Sequence, residues 1–234
     1  RRAARDELRK GATQIKIMVS GGVTSPLDRI DSTQFSIGEM RAAVEEAEAQ
    51  GRYVMAHAYT AKSINRALSA GVRSIEHGNM LDEATADAIV AHNAILIPTT
   101  VVFWAMAKDG PSVGIPTMYQ EKVEVVREAA LRGLEIAHRR DVKMVFGSDL
   151  FGPMHRYQSL EFSIRRDMQS AAEVIRAATL NAAELFQMTG EIGEIVPGAR
   201  ADLLAIDGNP LEDLNLLQEQ GRYMDMIMKD GAFI

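Results

Sequence analysis

The chain has 234 residues, of which 47% are hydrophobic and 25% charged, a composition typical of a globular protein with a sizeable core. A formal net charge of −6 without any basic stripe argues against a nucleic-acid partner. The absence of cysteine excludes disulfides and thiolate metal sites, so any metal would need His, Asp, Glu or a modified Lys. No apolar run reaches the ~18–20 residues of a membrane span, and we expect a cytoplasmic protein without a membrane partner.

The first ten residues have the pattern of the final turns of a helix. Ala4 and Leu8 fall on one helical face, basic residues follow, and Gly11 stands where a C-terminal cap is expected. Because this helix has an end but no matching start and no initiator Met, we expect the chain to be part of something longer.

Between residue 14 and about residue 188, short apolar segments alternate with amphipathic ones. The predicted strands are 15–20, 53–57, 72–77, 94–98 and 143–148. The predicted helices are 37–50, 61–70, 82–92, 117–140, 170–178 and 181–188. The predicted N-caps of four of these helices are Ser36, Asp82, Ser170 and Asn181.

This alternation predicts a parallel α/β sheet. The five strand–helix units take about 35 residues each, close to the ~31 per unit of an eightfold barrel of ~250 residues. We therefore predict an α/β fold of the (β/α)8 TIM-barrel type, present as a partial barrel with the last five strands. Residues 190–234 contain short strands at 202–207 and 224–229, which predict part of a small β-sandwich domain. The predicted domains are thus 1–189 and 190–234.

Lys16 is an unexpected residue in the first predicted strand. It stands among Ile15, Ile17, Met18 and Val19, where a charged amine is costly unless it is paired, neutralised or modified. One interpretation is a lysine that reaches water from a strand end or forms a salt bridge. Another is a functional lysine, and the residues at the ends of the later strands favour that one.

Three further strands end in residues that can bind a divalent metal. His57 ends the second strand, His77 ends the third, and Asp149 follows the fifth. Because the C-terminal ends of parallel barrel strands face one mouth, these side chains are expected to lie together with Lys16. Each alone has a simpler interpretation, a structural histidine or a helix cap, but their coincidence at one mouth favours a metal site.

The residue types indicate a particular chemistry. Nitrogen and oxygen ligands suit zinc or a similar divalent ion. A neutral lysine in an apolar strand can add carbon dioxide and become a carbamate, an anion able to bridge two metal ions. A nearby Asp can accept the proton of an activated water and pass it to a leaving amine.

The motifs that carry these residues resemble those of the amidohydrolase superfamily. In the barrel region they are residues 14–22 (QIKIMVSGG), 56–59 (AHAY), 75–78 (IEHG) and 147–149 (GSD). Further matches lie at 178–183 (ATLNAA), 193–195 (GEI), 198–203 (GARADL) and 209–211 (NPL). The subgroup that the chain resembles most is that of the prolidase-like, imidazolonepropionase-related dipeptidases.

The resemblance implies roles for individual residues. Lys16 would be the carboxylated, metal-bridging lysine of barrel strand four, with carbon dioxide as the source of its carbamate. His57 and His77 would bind metal, one or two zinc ions, from strands five and six. Asp149 would bind metal on strand eight and shuttle the proton.

Substrate contacts are also implied. Tyr59, two residues after His57, would polarise the carbonyl of the scissile bond. His155 and Arg156 lie in the loop that follows Asp149 and are candidates for substrate binding.

One element of the superfamily pattern is absent. Members carry a His-x-His pair on strand one, and no such pair occurs in this sequence. His92 and His138 lie in predicted helices outside the mouth and are expected to be surface residues. The chain therefore resembles strands four to eight and the C-terminal share of the flanking β-domain, with open sheet edges at 15–20 and 143–148.

The leading hypothesis is a metal-dependent hydrolase of small amide or peptide substrates, either dipeptides or N-acyl amino acids. We expect weak or absent activity from the isolated chain, and either a homo-oligomer or an N-terminal piece that supplies the missing strands. Two alternatives stay open: a member of the same superfamily that acts on cyclic amides or as a deaminase, and a non-catalytic truncated α/β fragment.

Overall fold

The computed structural model contains a four-stranded parallel sheet in the order β1-β2-β3-β4. The strands are β1 (Ile15–Met18), β2 (Val54–Thr60), β3 (Ser74–Met80) and β4 (Ile95–Ile97). The structure describes residues 1–234 apart from the side chain of Gln220. The parallel α/β arrangement predicted from the alternation of strands and helices is confirmed.

Nine α-helices accompany these strands in the described part of the chain. They are α1 (Arg2–Arg9), α2 (Ile37–Glu48), α3 (Ala61–Ser69), α4 (Glu83–Ala91), α5 (Thr100–Asp109), α6 (Gln120–Arg139), α7 (Leu160–Arg166), α8 (Ala171–Ala178) and α9 (Leu180–Leu185). Ser36, Asp82 and Ser170 cap α2, α4 and α8 as predicted, because each side chain accepts a backbone N–H three residues later. Helices α5 and α7 were not predicted.

The prediction of a fifth strand at 143–148 is wrong. The open sheet edge predicted there is also partly wrong, because helices α8 and α9 cover part of it. One bridge, Leu96 to Met144, joins this segment to β4. Asn181, predicted as an N-cap, lies inside α9 and donates from Nδ2 to the Met144 carbonyl oxygen at 2.9 Å. The Phe146 N–H donates to Ala177 O at 3.0 Å. The backbone groups that a further strand would pair with are therefore already bonded to α8 and α9.

The free side of β1 faces a groove. In the described part of the chain β1 pairs only with β2, and the strand leaves a space of about 490 Å³ beside α1 and α2. Ala4, Met18, Phe35 and Met40 are among the residues that line it. The open edge predicted at 15–20 is confirmed for β1 itself.

The sheet is packed unequally on its two faces. The outer face carries small and branched residues, among them Val54, Ala56, Ile75 and Leu96, which are buried against the surrounding helices. The inner face has a smaller apolar cluster built from Tyr53, Ile95, Ile97, Val145 and Leu185. Toward the C-terminal ends of the strands this inner face becomes polar.

Residues after 200 form a separate antiparallel sheet in the order β5-β6-β7. Its strands are β5 (Leu203–Ile206), β6 (Met224–Lys229) and β7 (Ala232–Phe233), so both predicted strands are confirmed and a short third one is added. Leu214 and Leu217 pack with Val174 of α8 and join this part to the larger one. Across the described residues, every helix is too short or too polar to cross a membrane.

Candidate active site

His57 and His77 meet at the C-terminal ends of β2 and β3. Both are buried, and their ring centroids lie 4.8 Å apart. The strand register pairs His57 with Glu76, so strict alternation would turn His77 to the opposite face of the sheet. His77 has a positive φ of 76°, a left-handed conformation that interrupts the alternation and brings its ring beside His57.

Asp149 approaches the same place from the segment after Val145. Its Oδ2 atom lies 3.9 Å from Nε2 of His77, and its side chain is about half exposed. Asp149 also has a left-handed φ, 49°, as does Thr99 at 47°. Strained backbone conformations of this kind persist where the surrounding structure enforces them, and they are concentrated at functional sites.

His57 is held by the glycine motif that follows β1. The ring Nε2–H donates to the carbonyl oxygen of Gly21 at 3.2 Å, which leaves Nδ1 as the unprotonated nitrogen of the neutral ring. Ser20 supports the same turn because its hydroxyl oxygen accepts the Tyr59 N–H at 3.1 Å. The Ser-Gly-Gly motif of the sequence thus holds His57 in position.

Tyr59 completes an aromatic cluster beside the two histidines. Its ring centroid lies 4.5 Å from that of His57 and 5.3 Å from that of His77. Phe103 of α5 closes the cluster at 5.8 Å from Tyr59 and 5.7 Å from His77. Phe103 could not be assigned to the site from sequence because its helix was not predicted.

Burial sets the charge states of the site. It lowers the pKa of His57 to about 4, against a weaker opposing effect of the Gly21 carbonyl, and lowers the pKa of His77 well below its ordinary value. Both rings are therefore neutral near pH 7, the form in which imidazole binds a metal. Burial also raises the pKa of Asp149, and the charge of Lys16 opposes that rise.

Glu76 is a further acid at the site that the sequence analysis did not assign. Burial raises the pKa of its carboxyl to about 7, although the Ser74 hydroxyl and the charge of Lys16 oppose the shift. Its Oε1 accepts the Ser74 hydroxyl at 2.8 Å. Its signal in the sequence was its position, one residue before His77 in a buried strand.

Lys16 is exposed, so the burial expected from its apolar neighbours is wrong in this chain. It lies on the β1 face shared with Met18, which is also exposed, because nothing in the described chain covers that face. Among the described residues it makes no hydrogen bond or ion pair with Glu76 or Asp149. Its charge nevertheless affects the pKa values of His57, His77, Glu76 and Asp149, and its role at the site stays a prediction.

The two residues suggested for substrate contact lie in a 3₁₀ turn at Gly152–Tyr157. His155 is exposed there. Arg156 is about half exposed and forms an ion pair with Asp109, at the end of α5, at 2.5 Å. The role of both side chains in substrate binding stays a prediction.

The donor set fits a divalent ion in part. The 3.9 Å between His77 Nε2 and Asp149 Oδ2 is short enough for both atoms to reach one ion, but it is wider than the about 3.4 Å that separates two ligands of a tetrahedral zinc ion. No group of three His, Asp or Glu side chains in the described chain is arranged to hold an ion. An ion bound here would therefore need ligands beyond these side chains, and their role as metal ligands stays a prediction.

Comparison with known proteins gives a consistent result. Residues 1–233 match the amidohydrolase family. The chain is 33% identical over 224 residues to ochratoxinase of Aspergillus niger, an alignment that covers 94% of this chain and 46% of the relative.

Two solved structures extend the comparison. A prolidase complexed with N-methylphosphonate-L-proline is 49% identical, with a TM-score of 0.97 over 99% of this chain and 57% of that one. An Xaa-Pro dipeptidase with bound methionine in its active site is 31% identical, with a TM-score of 0.91 over 100% of this chain and 57% of that one. The chain thus spans about half the length of the relatives it matches.

Proposed function

The chain belongs to the amidohydrolase family, and from this premise we propose that it forms the strand-four-to-eight part of a metal-dependent hydrolase of dipeptides or N-acyl amino acids. The observation that carries the proposal is the meeting of two buried, neutral histidines with Asp149 at one end of a parallel sheet. The relatives support the reaction type, because a prolidase, an Xaa-Pro dipeptidase and ochratoxinase are among them.

His57, His77 and Asp149 would hold a divalent metal, and zinc suits this set better than a harder ion because two of the ligands are imidazoles. His57 offers Nδ1, because its Nε2–H is bonded to the Gly21 carbonyl oxygen, and Nε2 of His77 faces Asp149. Lys16, as a carbamate, adds an anionic ligand. Such an ion supplies an acidified water and a Lewis acid for the amide carbonyl.

Two side chains of the protein would take part in the remaining steps of the reaction. Asp149 accepts a proton from the attacking water and delivers it to the leaving nitrogen, which must be protonated to depart as an amine. Tyr59 donates a hydrogen bond to the carbonyl oxygen as negative charge develops there. Burial raises the pKa of the Tyr59 phenol, so this group stays a neutral donor near pH 7.

The relatives and the exposed face of the site support the proposed substrate class. We infer substrates with a C-terminal prolyl or basic residue, with Arg156 and His155 near the substrate carboxylate or side chain. The remaining metal ligands come from outside this chain, either from an N-terminal piece that supplies the missing strands or from a second copy in a homo-oligomer. The groove beside β1 is the surface on which such strands would pair.

The decisive experiment compares two proteins. One is the chain alone, and the other is a fusion in which the chain follows the N-terminal part of the prolidase that is 49% identical to it. Zinc is counted by elemental analysis, and hydrolysis is measured with Xaa-Pro dipeptides, N-acyl amino acids, a cyclic amide and an aminopurine. We expect weak or absent activity from the chain alone, and zinc-dependent dipeptide or N-acyl hydrolysis from the fusion.

A pair of histidine variants makes the result specific. His57→Gln in the fusion should lower both zinc content and activity, whereas His92→Gln should change neither, because His92 is exposed at the end of α4. Turnover of only the cyclic amide or aminopurine would overturn the substrate class. A folded fusion without bound zinc would favour the non-catalytic interpretation and overturn the proposal.

A further inference from the structure

Thr99 has an uncommon conformation between β4 and α5. It is buried, and its φ of 47° and ψ of 40° place a β-branched residue in the left-handed region, where side-chain crowding makes such residues rare. Thr99 occupies the N-cap position of α5, yet its side chain does not cap the helix. Its hydroxyl instead lies 2.7 Å from Nδ1 of His77.

The N-terminus of α5, which the Thr99 side chain does not cap, is capped by a carboxylate distant in the sequence. Glu161 of α7 is fully buried, and its Oε2 accepts the Val101 N–H at 2.7 Å. An N-cap side chain ordinarily accepts one of these first N–H groups of a helix. Because Glu161 satisfies this donor from sixty residues away, the Thr99 hydroxyl is available to His77.

We propose that Thr99 is a positioning residue for His77 and that Glu161 makes this possible by capping α5 in its place. In this arrangement His77 carries its proton on Nδ1 and donates it to the Thr99 hydroxyl oxygen. The unprotonated Nε2 then faces Asp149, 3.9 Å away. The role of this arrangement in catalysis rests on the proposed function. The orientation of the His77 ring is independent of that function.

The arrangement accounts for two otherwise costly features. The strained backbone of Thr99 places its hydroxyl within hydrogen-bond distance of His77, and strain of this kind persists where the surrounding structure enforces it. The burial of an acid at residue 161 is offset by the charge of Arg165, 3.8 Å away, and by the helix N-terminus it caps. A ligand histidine whose second nitrogen is bonded to the protein keeps one tautomer and one ring orientation.

The chain provides a matched control for a test by mutation. Thr99→Val removes the hydroxyl and keeps the shape, Thr99→Ser keeps the hydroxyl, and Thr99→Ala removes it with less crowding at positive φ. Thr100→Val removes the hydroxyl of the adjacent buried threonine, which has no hydrogen-bond partner in the described structure. Folding of each variant is checked by thermal unfolding.

The first readout is nitrogen NMR of the His77 ring in the metal-free 234-residue chain, with the signal assigned by His77→Asn. We expect wild type, Thr99→Ser and Thr100→Val to show protonated Nδ1, and Thr99→Val and Thr99→Ala to show a mixture of tautomers. An unchanged His77 spectrum in folded Thr99→Val and Thr99→Ala would overturn the proposal, whatever the activity of the protein.

The second readout is zinc affinity and steady-state kinetics of the fusion. We expect Thr99→Val to weaken zinc binding or lower kcat about 10–100-fold, with KM little changed, and Thr99→Ser to restore most of the loss. Equal losses in Thr99→Val and Thr100→Val would indicate a packing effect and overturn the proposal. If wild type binds no zinc while the NMR result holds, the proposed function fails and the positioning of His77 stands.

Discussion

The ring of His57 is bonded to the carbonyl oxygen of Gly21, and only glycine fits at that position. A Cβ atom built on Gly21 would lie 2.0 Å from the carbonyl oxygen of Arg29, far inside contact distance. The adjacent Gly22 has nothing within 4 Å of such an atom. Of the two glycines in the Ser-Gly-Gly motif, only Gly21 therefore has no room for a side chain. Gly21 is also the residue that connects the loop after β1 to His57.

This contrast gives the first prediction. Gly21→Ala should destabilise the chain by about 1–3 kcal/mol or more, because the loop backbone must move to admit a methyl group. Gly22→Ala should change the free energy of unfolding by no more than about 0.5 kcal/mol. Urea denaturation measures both. Equal stability of the two variants would contradict the close approach of Arg29.

The second prediction concerns Asp149. Asp149→Asn in the fusion should lower kcat about 10²–10⁴-fold, because an amide can neither accept nor deliver the proton. The backbone should tolerate the change, since Asn adopts positive φ as readily as Asp. Asp141→Asn is the control, because Asp141 also has a positive φ, 54°, and is exposed. An equal loss of kcat in both variants, measured by steady-state kinetics, would indicate backbone strain and not proton transfer.

The third prediction is a pH dependence at the contact between α1 and α2. Glu46 accepts hydrogen bonds from Arg5 at 2.6 and 2.8 Å and from Arg1 at 2.9 Å, and these lower its pKa from 4.5 to about 2. A lowered acid pKa means that the stabilisation is fully present above about pH 4.5 and is lost as the pH falls toward 2.

Thermal unfolding of Glu46→Gln tests this dependence. The variant should melt below wild type at pH 7, and the difference should vanish near pH 2. Glu48→Gln, at an exposed position in the same helix without an ion pair in the described chain, should match wild type throughout. A Glu46→Gln difference that persisted unchanged at pH 2 would contradict the ion-pair origin.

The fourth prediction concerns the fully buried pair of Glu161 and Arg165. Nε of Arg165 lies 3.8 Å from Oε1 of Glu161, and none of the guanidinium nitrogens has a hydrogen-bond partner in the described structure. Arg165→Met should destabilise the chain by about 3–5 kcal/mol, because it leaves a buried carboxylate without its cation. Adding Glu161→Gln should recover part of this loss, since the amide oxygen can still accept the Val101 N–H.

A double-mutant cycle by urea denaturation measures the coupling of this pair. Arg166→Met is the control, because Arg166 is about half exposed and should contribute little. Strictly additive effects of the two substitutions at 161 and 165 would show that the pair does not interact.

Much of the fold could be predicted from the sequence because its signals are local. The periodicity of apolar residues predicted four strands of the parallel sheet within a few residues of their ends, and three of four proposed N-caps are present. Asn181 failed as a cap because its amide bonds the Met144 carbonyl, thirty-seven residues away. This contact and the bond from the Phe146 N–H to Ala177 O occupy backbone groups that a further strand would pair with.

The sequence by itself determined which residues meet at the site. Parallel strands present their C-terminal ends at one edge, so the sequence predicted that His57, His77 and Asp149 lie near one another, although strict alternation would have turned His77 to the other face. Tertiary structure decided how they are held. His77 adopts a left-handed backbone conformation. The Thr99 hydroxyl contacts its ring from 22 positions away, and Glu161 caps α5 at Val101 from 60 positions away. No local pattern encodes such contacts, because they depend on where separate elements pack in space.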